Sequence, residues 1–339
     1  MHTNASRIEP SGLHAGAPHS LIEDVSTVFD LVSDEMVLAE RELHAQLQNT
    51  IPAVAEIASY LAAAGGKRFR PLLTVLGARA VNYEGSIGHL GAIGEMLHLG
   101  SLLHDDVVDD GQERRGQPAA QKAYGNPAVI LTGDYCVARG LLMSSEHAGH
   151  EAVTRLAWTV TAMSEGEVTQ LLNRGNLDLD VDRYMEIVYK KSATLIAWCA
   201  AAGAWGTNNA EAAEALYTYG LSVGTAFQIT DDVLDYTGDK ITTGKRRGRD
   251  LAERKMTLPL LIAMERIPGL RDRLRQGDPS PERIPALLQQ VQDSGATDAA
   301  LERARTLVDE GLAALETLPH SAYRDALEQL AHHLVDRIA

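Results

Sequence analysis

From Leu21 onward, apolar residues recur at spacings of three and four, and runs that alternate apolar with polar residues are scarce. Ile93, Met96, Leu97, Leu103 and Val107 form one such series, and Leu216, Tyr219, Val223, Phe227 and Val233 form another. That spacing gathers apolar side chains on one face of a helix, whereas a half-buried strand needs period two. Ala, Leu and Glu dominate, and all three favour helix. Breakers divide the series into blocks: Gly65-Gly66, Pro71, Gly111 to Pro118, Gly125 to Pro127, Gly175-Asn176, Gly203 to Asn209, Gly238 to Gly248, and Pro268 to Pro281. The expected fold is all-α, a single large helical bundle domain of about ten or more helices.

A chain of 339 residues can bury one substantial core, and no stretch has the composition of an interdomain linker. Residues 1–18 are rich in Gly, Pro, Ser and His and are expected to be a disordered N-terminal extension, leaving 19–339 as the folded domain. Segment 282–339 reads as amphipathic packing helices. The longest expected loop runs from Thr237 to Arg249 and is strongly basic.

Charge restricts the partners. Asp and Glu number 46 against 31 Lys and Arg, for a formal charge of −15. That balance argues against nucleic acid, whose phosphates need a basic face. Cys136 and Cys199 are the only cysteines, too few for a disulfide framework or a cysteine zinc site, which fits a reducing, cytoplasmic setting. The N-terminus lacks the apolar core of a secretory signal. The longest weakly polar stretch, Ala193 to Gly206, falls short of the ~20 residues that cross a bilayer and reads as a buried helix, so no transmembrane segment is expected.

Two segments carry chemistry: LLHDDVVDD (102–110) and FQITDDVLDY (227–236). Each sets Asp-Asp-x-x-Asp after an apolar helical run, so Asp105 and Asp109 share one helix face, as do Asp231 and Asp235. Like charges four residues apart repel, and burying them without a cation or proton costs far more. One such cluster in an acidic protein is ordinarily a solvated helix end; two, each behind an apolar wall, point to a hard divalent cation such as Mg²⁺ with a substrate phosphate completing its shell.

The scarce positive charge supports that reading. Thirteen of the 31 basic residues fall in five short clusters: GGKRFRP, Arg114-Arg115, Lys190-Lys191, KRRGR (245–249) and Arg254-Lys255. Arg114 and Arg115 follow the first Asp motif, and Lys245 to Arg249 follow the second. Metals on the carboxylates and cations behind them suit one phosphorylated ligand. Lys67 and Arg70, beside a Gly pair that allows close backbone approach, form a further anion site.

GGKRFRP, ExxHxxSLLHDDVVDDGQERRG, GDYCVA, KKSA, FQITDDVLD and KRRGRDLAERKMTLP occur in that order, and in this the chain resembles the trans-isoprenyl diphosphate synthases, or polyprenyl synthetases, over about residues 50–260. The resemblance implies helices around a central cavity, a homodimer, and three Mg²⁺ ions held by Asp105, Asp106 and Asp109 with Asp231, Asp232 and Asp235. It implies that Arg114, Lys191, Gln228, Lys245 and Lys255 contact an allylic diphosphate; Ser192 stands where the family usually has Thr and keeps the hydroxyl. It implies that Lys67, Arg70, His98 and Arg115 hold isopentenyl diphosphate. Asp105, Asp109, Asp231, Lys191 and Arg114 are then the residues closest to catalysis, which proceeds by ionisation, condensation and elimination without a protein nucleophile.

In the family this chain resembles, bulky residues five and four positions before the first Asp stop elongation. Here they are Gly100 and Ser101, both small, so the expected product is longer than fifteen carbons. Ile93, Leu97, Leu142 and Met143 are candidates for a deeper floor. A twenty-carbon geranylgeranyl product is the alternative length. A class I terpene cyclase and a non-catalytic synthase subunit fit less well, because the first needs no second diphosphate pocket and the second tends to lose its Asp motifs.

Overall fold

The computed structural model describes residues 26–48, 50–63, 65–66, 68–114, 116–207, 209–238, 247–277, 280 and 282–336. The expected N-terminal extension, Lys67, Arg115 and Lys245 lie outside these residues. The chain begins with helices α1 (Ser26–Leu31), α2 (Ser33–Gln48), α3 (Pro52–Ala63), α4 (Phe69–Ala80) and α5 (Ile87–Val108). A two-residue antiparallel ladder follows, β1 (Glu113–Arg114) against β2 (Gln117–Pro118), with Arg114 opposite Gln117. Next come α6 (Ala120–Tyr124), α7 (Asn126–His147), α8 (Gly149–Leu172), α9 (Val181–Val188), a π-turn (Tyr189–Ala193), α10 (Thr194–Ala201) and α11 (Ala210–Thr237). The chain closes with α12 (Arg249–Ala252), α13 (Leu258–Arg266), α14 (Leu270–Gln276), α15 (Ile284–Asp293), α16 (Ala296–Leu315) and α17 (Ala322–Asp336).

The all-α expectation holds, and α10 explains its layout. Its sequence, TLIAWCAA, has no polar face, and all eight residues are buried; a helix apolar all round must sit inside. It lies against α4, α5, α8 and α11, with Trp198 donating its indole N–H to the Ala152 carbonyl at 2.9 Å. The helix α16 covers the outer face of α11, and the buried Tyr219 hydroxyl donates to the Leu327 carbonyl of α17 at 2.7 Å. No helix among the described residues is long and apolar enough to cross a membrane.

Two breakers behave otherwise than expected. Pro71 lies in the first turn of α4, where the missing N–H is not needed, so it sits within a helix start. The Pro268–Pro281 stretch contains α14, entered through Gly269 at φ 71° and anchored by buried Leu270.

The long helices α5 and α11 set the site. Their 22 and 28 residues make rods of about 33 and 42 Å. Both end at an Asp motif: Asp105 and Asp106 occupy the last turn of α5 with Asp109 as its C-cap, and Asp231, Asp232 and Asp235 occupy the last turns of α11. Carboxylates at the negative end of a helix dipole are unfavourable without nearby positive charge.

Candidate active site

The three carboxylates of the first motif have different surroundings. Asp106 is 3% exposed; Arg114 Nε donates to its Oδ1 at 2.6 Å and the Ala120 N–H to its Oδ2 at 3.2 Å. The short β-ladder thus folds back and seals Asp106 beneath it. Asp105, half-buried one position before it, is pushed up to about 6 by burial, reinforced by the charges of Glu167 and Asp109 and opposed by those of Lys191 and Arg114. Asp109 pairs with Arg174, and Lys255 Nζ stands 3.8 Å from its Oδ2.

The second motif is sorted in the same way. Asp232 is buried and accepts from the Tyr184 hydroxyl at 2.7 Å and from Gln228 Nε2 at 2.9 Å. Burial, with Asp250 and Asp231 nearby, pushes its carboxyl well up despite those bonds. Gln228 is oriented by Ser192, whose hydroxyl donates to Oε1 at 2.9 Å; the Ser in place of Thr retains a working donor. The Asp235 carboxylate accepts from the N–H groups of Arg249 and Asp250 at 3.1 and 3.0 Å, tying α12 to the end of α11. Asp231 is exposed, and its charge acts on Arg70.

The π-turn presents the lysines. Lys190 faces outward to Glu165 at 3.0 Å and Glu186 at 3.1 Å. Lys191 donates to Gln170 Oε1 at 2.7 Å and pairs with Glu167. The turn lies so close to α8 that a Cβ on Gly166 would come within 2.6 Å of the Lys191 nitrogen, so glycine is required there. Wide helical turns of this kind are frequent at functional sites.

A chain of contacts joins the motifs. Asp235 holds the start of α12; Asp250 of α12 lies 3.9 Å from Lys255, and Lys255 reaches Asp109. Burial draws the Lys255 ammonium down, but Asp250, Asp109 and Glu253 outweigh it and hold it above its ordinary value. Arg70 joins from α4. Burial pulls its guanidinium down against the charges of Glu95, Cys199 and Asp231, and its Nε is buried without a hydrogen-bond partner, a donor suited to an anion. The stacked rings of Phe69 and Phe227, 5.4 Å apart, fix α4 to α11 beside it. Arg68 binds Glu40 through two nitrogens at 2.8 Å and Glu95 through the third at 2.9 Å. His98 is half-buried on α5.

No group of three or more His, Cys, Asp or Glu among the described residues is gathered closely enough to hold a metal ion. The carboxylates instead lean on protein donors, and Asp106, Asp232 and Asp235 accept at both oxygens. The donor set still suits a hard divalent cation: carboxylate oxygens at two helix C-termini, with Asp105 raised by burial and negative neighbours.

The two expected chain-length positions differ. A Cβ on Gly100 would meet the Gly133 carbonyl oxygen and Val137 Cγ2, each at 3.0 Å, so Gly100 serves the close approach of α5 to α7. Ser101 is half-buried, with its hydroxyl donating to the His98 carbonyl at 2.9 Å. Ile93, Leu97 and Met143 are buried, whereas Leu142 is 46% exposed; Met143, one position on, takes the inward face.

Sequence reasoning missed Glu167, Gln170, Arg174, Tyr184 and Asp250. Glu167 and Gln170 lie three residues apart in EGEVTQ (165–170), a helical pairing that spacing could have flagged. Arg174 and Tyr184 carry no such signal, because their partners come from distant helices.

Known proteins share this fold and much of this sequence. The polyprenyl synthetase family model matches residues 51–291. The octaprenyl diphosphate synthase of Haemophilus influenzae is 36% identical over 320 residues, spanning 92% of this chain and 97% of its own. A polyprenyl synthase from Caulobacter crescentus, crystallised with calcium and isoprenyl diphosphate, is 37% identical with a TM-score of 0.88, covering 93% of this chain and 98% of that one. A decaprenyl diphosphate synthase from Rhodobacter capsulatus is 31% identical with a TM-score of 0.87, covering 93% and 99%. Such coverage defines an all-α transferase acting on prenyl diphosphates. The chain belongs to the polyprenyl synthetase family.

Proposed function

We propose that the chain condenses isopentenyl diphosphate with an allylic diphosphate and releases a trans-polyprenyl diphosphate longer than fifteen carbons. The observation that carries this reading is the junction of the two Asp-bearing helix ends through Lys255 and Asp250. Asp105, Asp109 and Asp231 are the proposed metal ligands; Asp106, Asp232 and Asp235 hold the surrounding elements in place.

Mg²⁺, when bound there, supplies Lewis-acid stabilisation of the leaving diphosphate. Arg114, Lys191, Lys255 and Lys245 neutralise that group as the allylic C–O bond breaks and it departs with the electron pair, an electrostatic task. Gln228, fixed between Ser192 and Asp232, orients it. Arg70, with Lys67, Arg115 and His98, positions isopentenyl diphosphate, whose alkene electrons form the new C–C bond. The resulting cation loses a proton to the released diphosphate. Buried apolar residues below the site, Ile93, Leu97 and Leu103 among them, exclude water from the cation.

Ser101 and the kinship with octaprenyl and decaprenyl synthases support a medium-to-long product. A second copy is proposed to cover the exposed apolar residues of α7 and α8, where Leu131 and Leu172 are 65% and 79% exposed and Trp158 stands between them in sequence. The decisive experiment is a divalent-cation-dependent assay with radiolabelled isopentenyl diphosphate and several allylic primers, with products sized by chromatography. Label carried into products beyond fifteen carbons is expected; cyclised hydrocarbon, or no incorporation, would sink the reading.

A further inference from the structure

Asp109 and Asp110 are adjacent but differently placed. The Asp110 side chain is 80% exposed and pairs with Lys122. The Asp109 side chain is 12% exposed and meets two cations from separate elements. Arg174 arrives from the turn after α8, and Lys255 from the segment after α12. The Gly175 N–H donates to the Arg254 carbonyl at 2.8 Å, so the two segments that bring these cations are bonded to each other.

The cations are not equivalent. Lys255 has other carboxylates, Glu253 at 2.7 Å and Asp250 at 3.9 Å, and keeps partners if Asp109 moves. Arg174 reaches Asp109 through a terminal nitrogen, while its Nε is buried with no hydrogen-bond partner. Arg68, by contrast, engages Glu40 as a fork through two nitrogens, the stronger geometry. Arg174 leaves a donor unmade, which is costly in a buried setting. A single contact of this kind ties Asp109 less firmly than a fork would.

We infer that Arg174 is a positioning residue that holds Asp109 in the metal-free enzyme and so sets the concentration of divalent cation at which the site fills. The inference rests on the reading of Asp109 as a metal ligand. A divalent ion at Asp109 must either displace the guanidinium or bind beside its positive charge. Both oppose the ion, and an affinity falls by the fraction of protein held in the incompetent arrangement. Removing the guanidinium therefore tightens metal binding, the opposite of what loss of a merely structural contact would do.

Mn²⁺ titration of the full chain, followed by the electron paramagnetic resonance of the free ion, tests this directly. Arg174→Ala is expected to lower the Mn²⁺ dissociation constant about fivefold, within the usual range of such couplings. Arg174→Lys restores the charge and is expected to return most of the wild-type value. In an Asp109→Asn background, Arg174→Ala should have a much smaller effect, since the interacting partner is gone and only the through-space charge effect remains. Thermal melts confirm that each variant is folded. Unchanged or weaker Mn²⁺ binding by Arg174→Ala, while Asp109→Asn does weaken it, overturns the inference alone. If wild type and Asp109→Asn behave alike, Asp109 is no ligand and the underlying reading falls with it.

Discussion

Asp105 and Tyr184 show how burial, more than residue type, assigns roles within these motifs. Asp105 is pushed up to about 6, so the folded protein holds this proton more tightly than the unfolded chain. Its protonation favours folding fully below ~4, the ordinary carboxylate value, and that benefit is lost as pH rises through about 6. Without added metal, the melting temperature of wild type relative to Asp105→Asn should fall as pH is raised across that window; parallel melting profiles would exclude the shift. Tyr184→Phe strips a donor from buried Asp232 and is expected to destabilise by about 1–3 kcal/mol, read from denaturant unfolding. Burial also pushes the Cys136 and Cys199 thiols up to about 12, so neither should react with iodoacetamide until the protein is unfolded. The Asp motifs were legible because one helix turn carries their pattern. Tyr184 was not, since its partner is 48 residues away and only packing brings them together.

Among the elements, α5 illustrates what apolar periodicity conveys and what it omits. Its helical run and the end at Asp109 are written in the spacing of Ile93, Leu97 and Leu103. Its contact with α7 is not, because a glycine that permits close approach looks the same in sequence as one that leaves open space. Gly100→Phe should therefore act chiefly through packing against Gly133 and Val137, costing about 1–3 kcal/mol. Ser101→Phe is the cleaner probe of chain length and should shorten the product with little loss of stability. Product sizing and thermal melts on both variants separate the two effects. The π-turn at Tyr189–Ala193 was likewise invisible, since KKSA fits an ordinary helix and nothing in it shows that α8 packs against the turn at Gly166.

Across the whole molecule, an all-apolar α10 dictates that other helices surround it, which is why the fold class could be read from composition and period. The surface that would meet a second copy could not, because an apolar residue facing a partner and one facing the core look alike in a list of residues. On α7, Leu131 and Leu142 are eleven positions apart, about three turns, and share a face. Leu131→Glu combined with Trp158→Glu is expected to shift the protein to a monomer in analytical ultracentrifugation; an unchanged sedimentation coefficient would place any interface elsewhere. That α5 and α11 both end at carboxylate clusters has an electrostatic consequence. Each closes on its carbonyl end among those carboxylates, so on the proposed function the negative charge there favours a diphosphate that carries a divalent ion over a bare one.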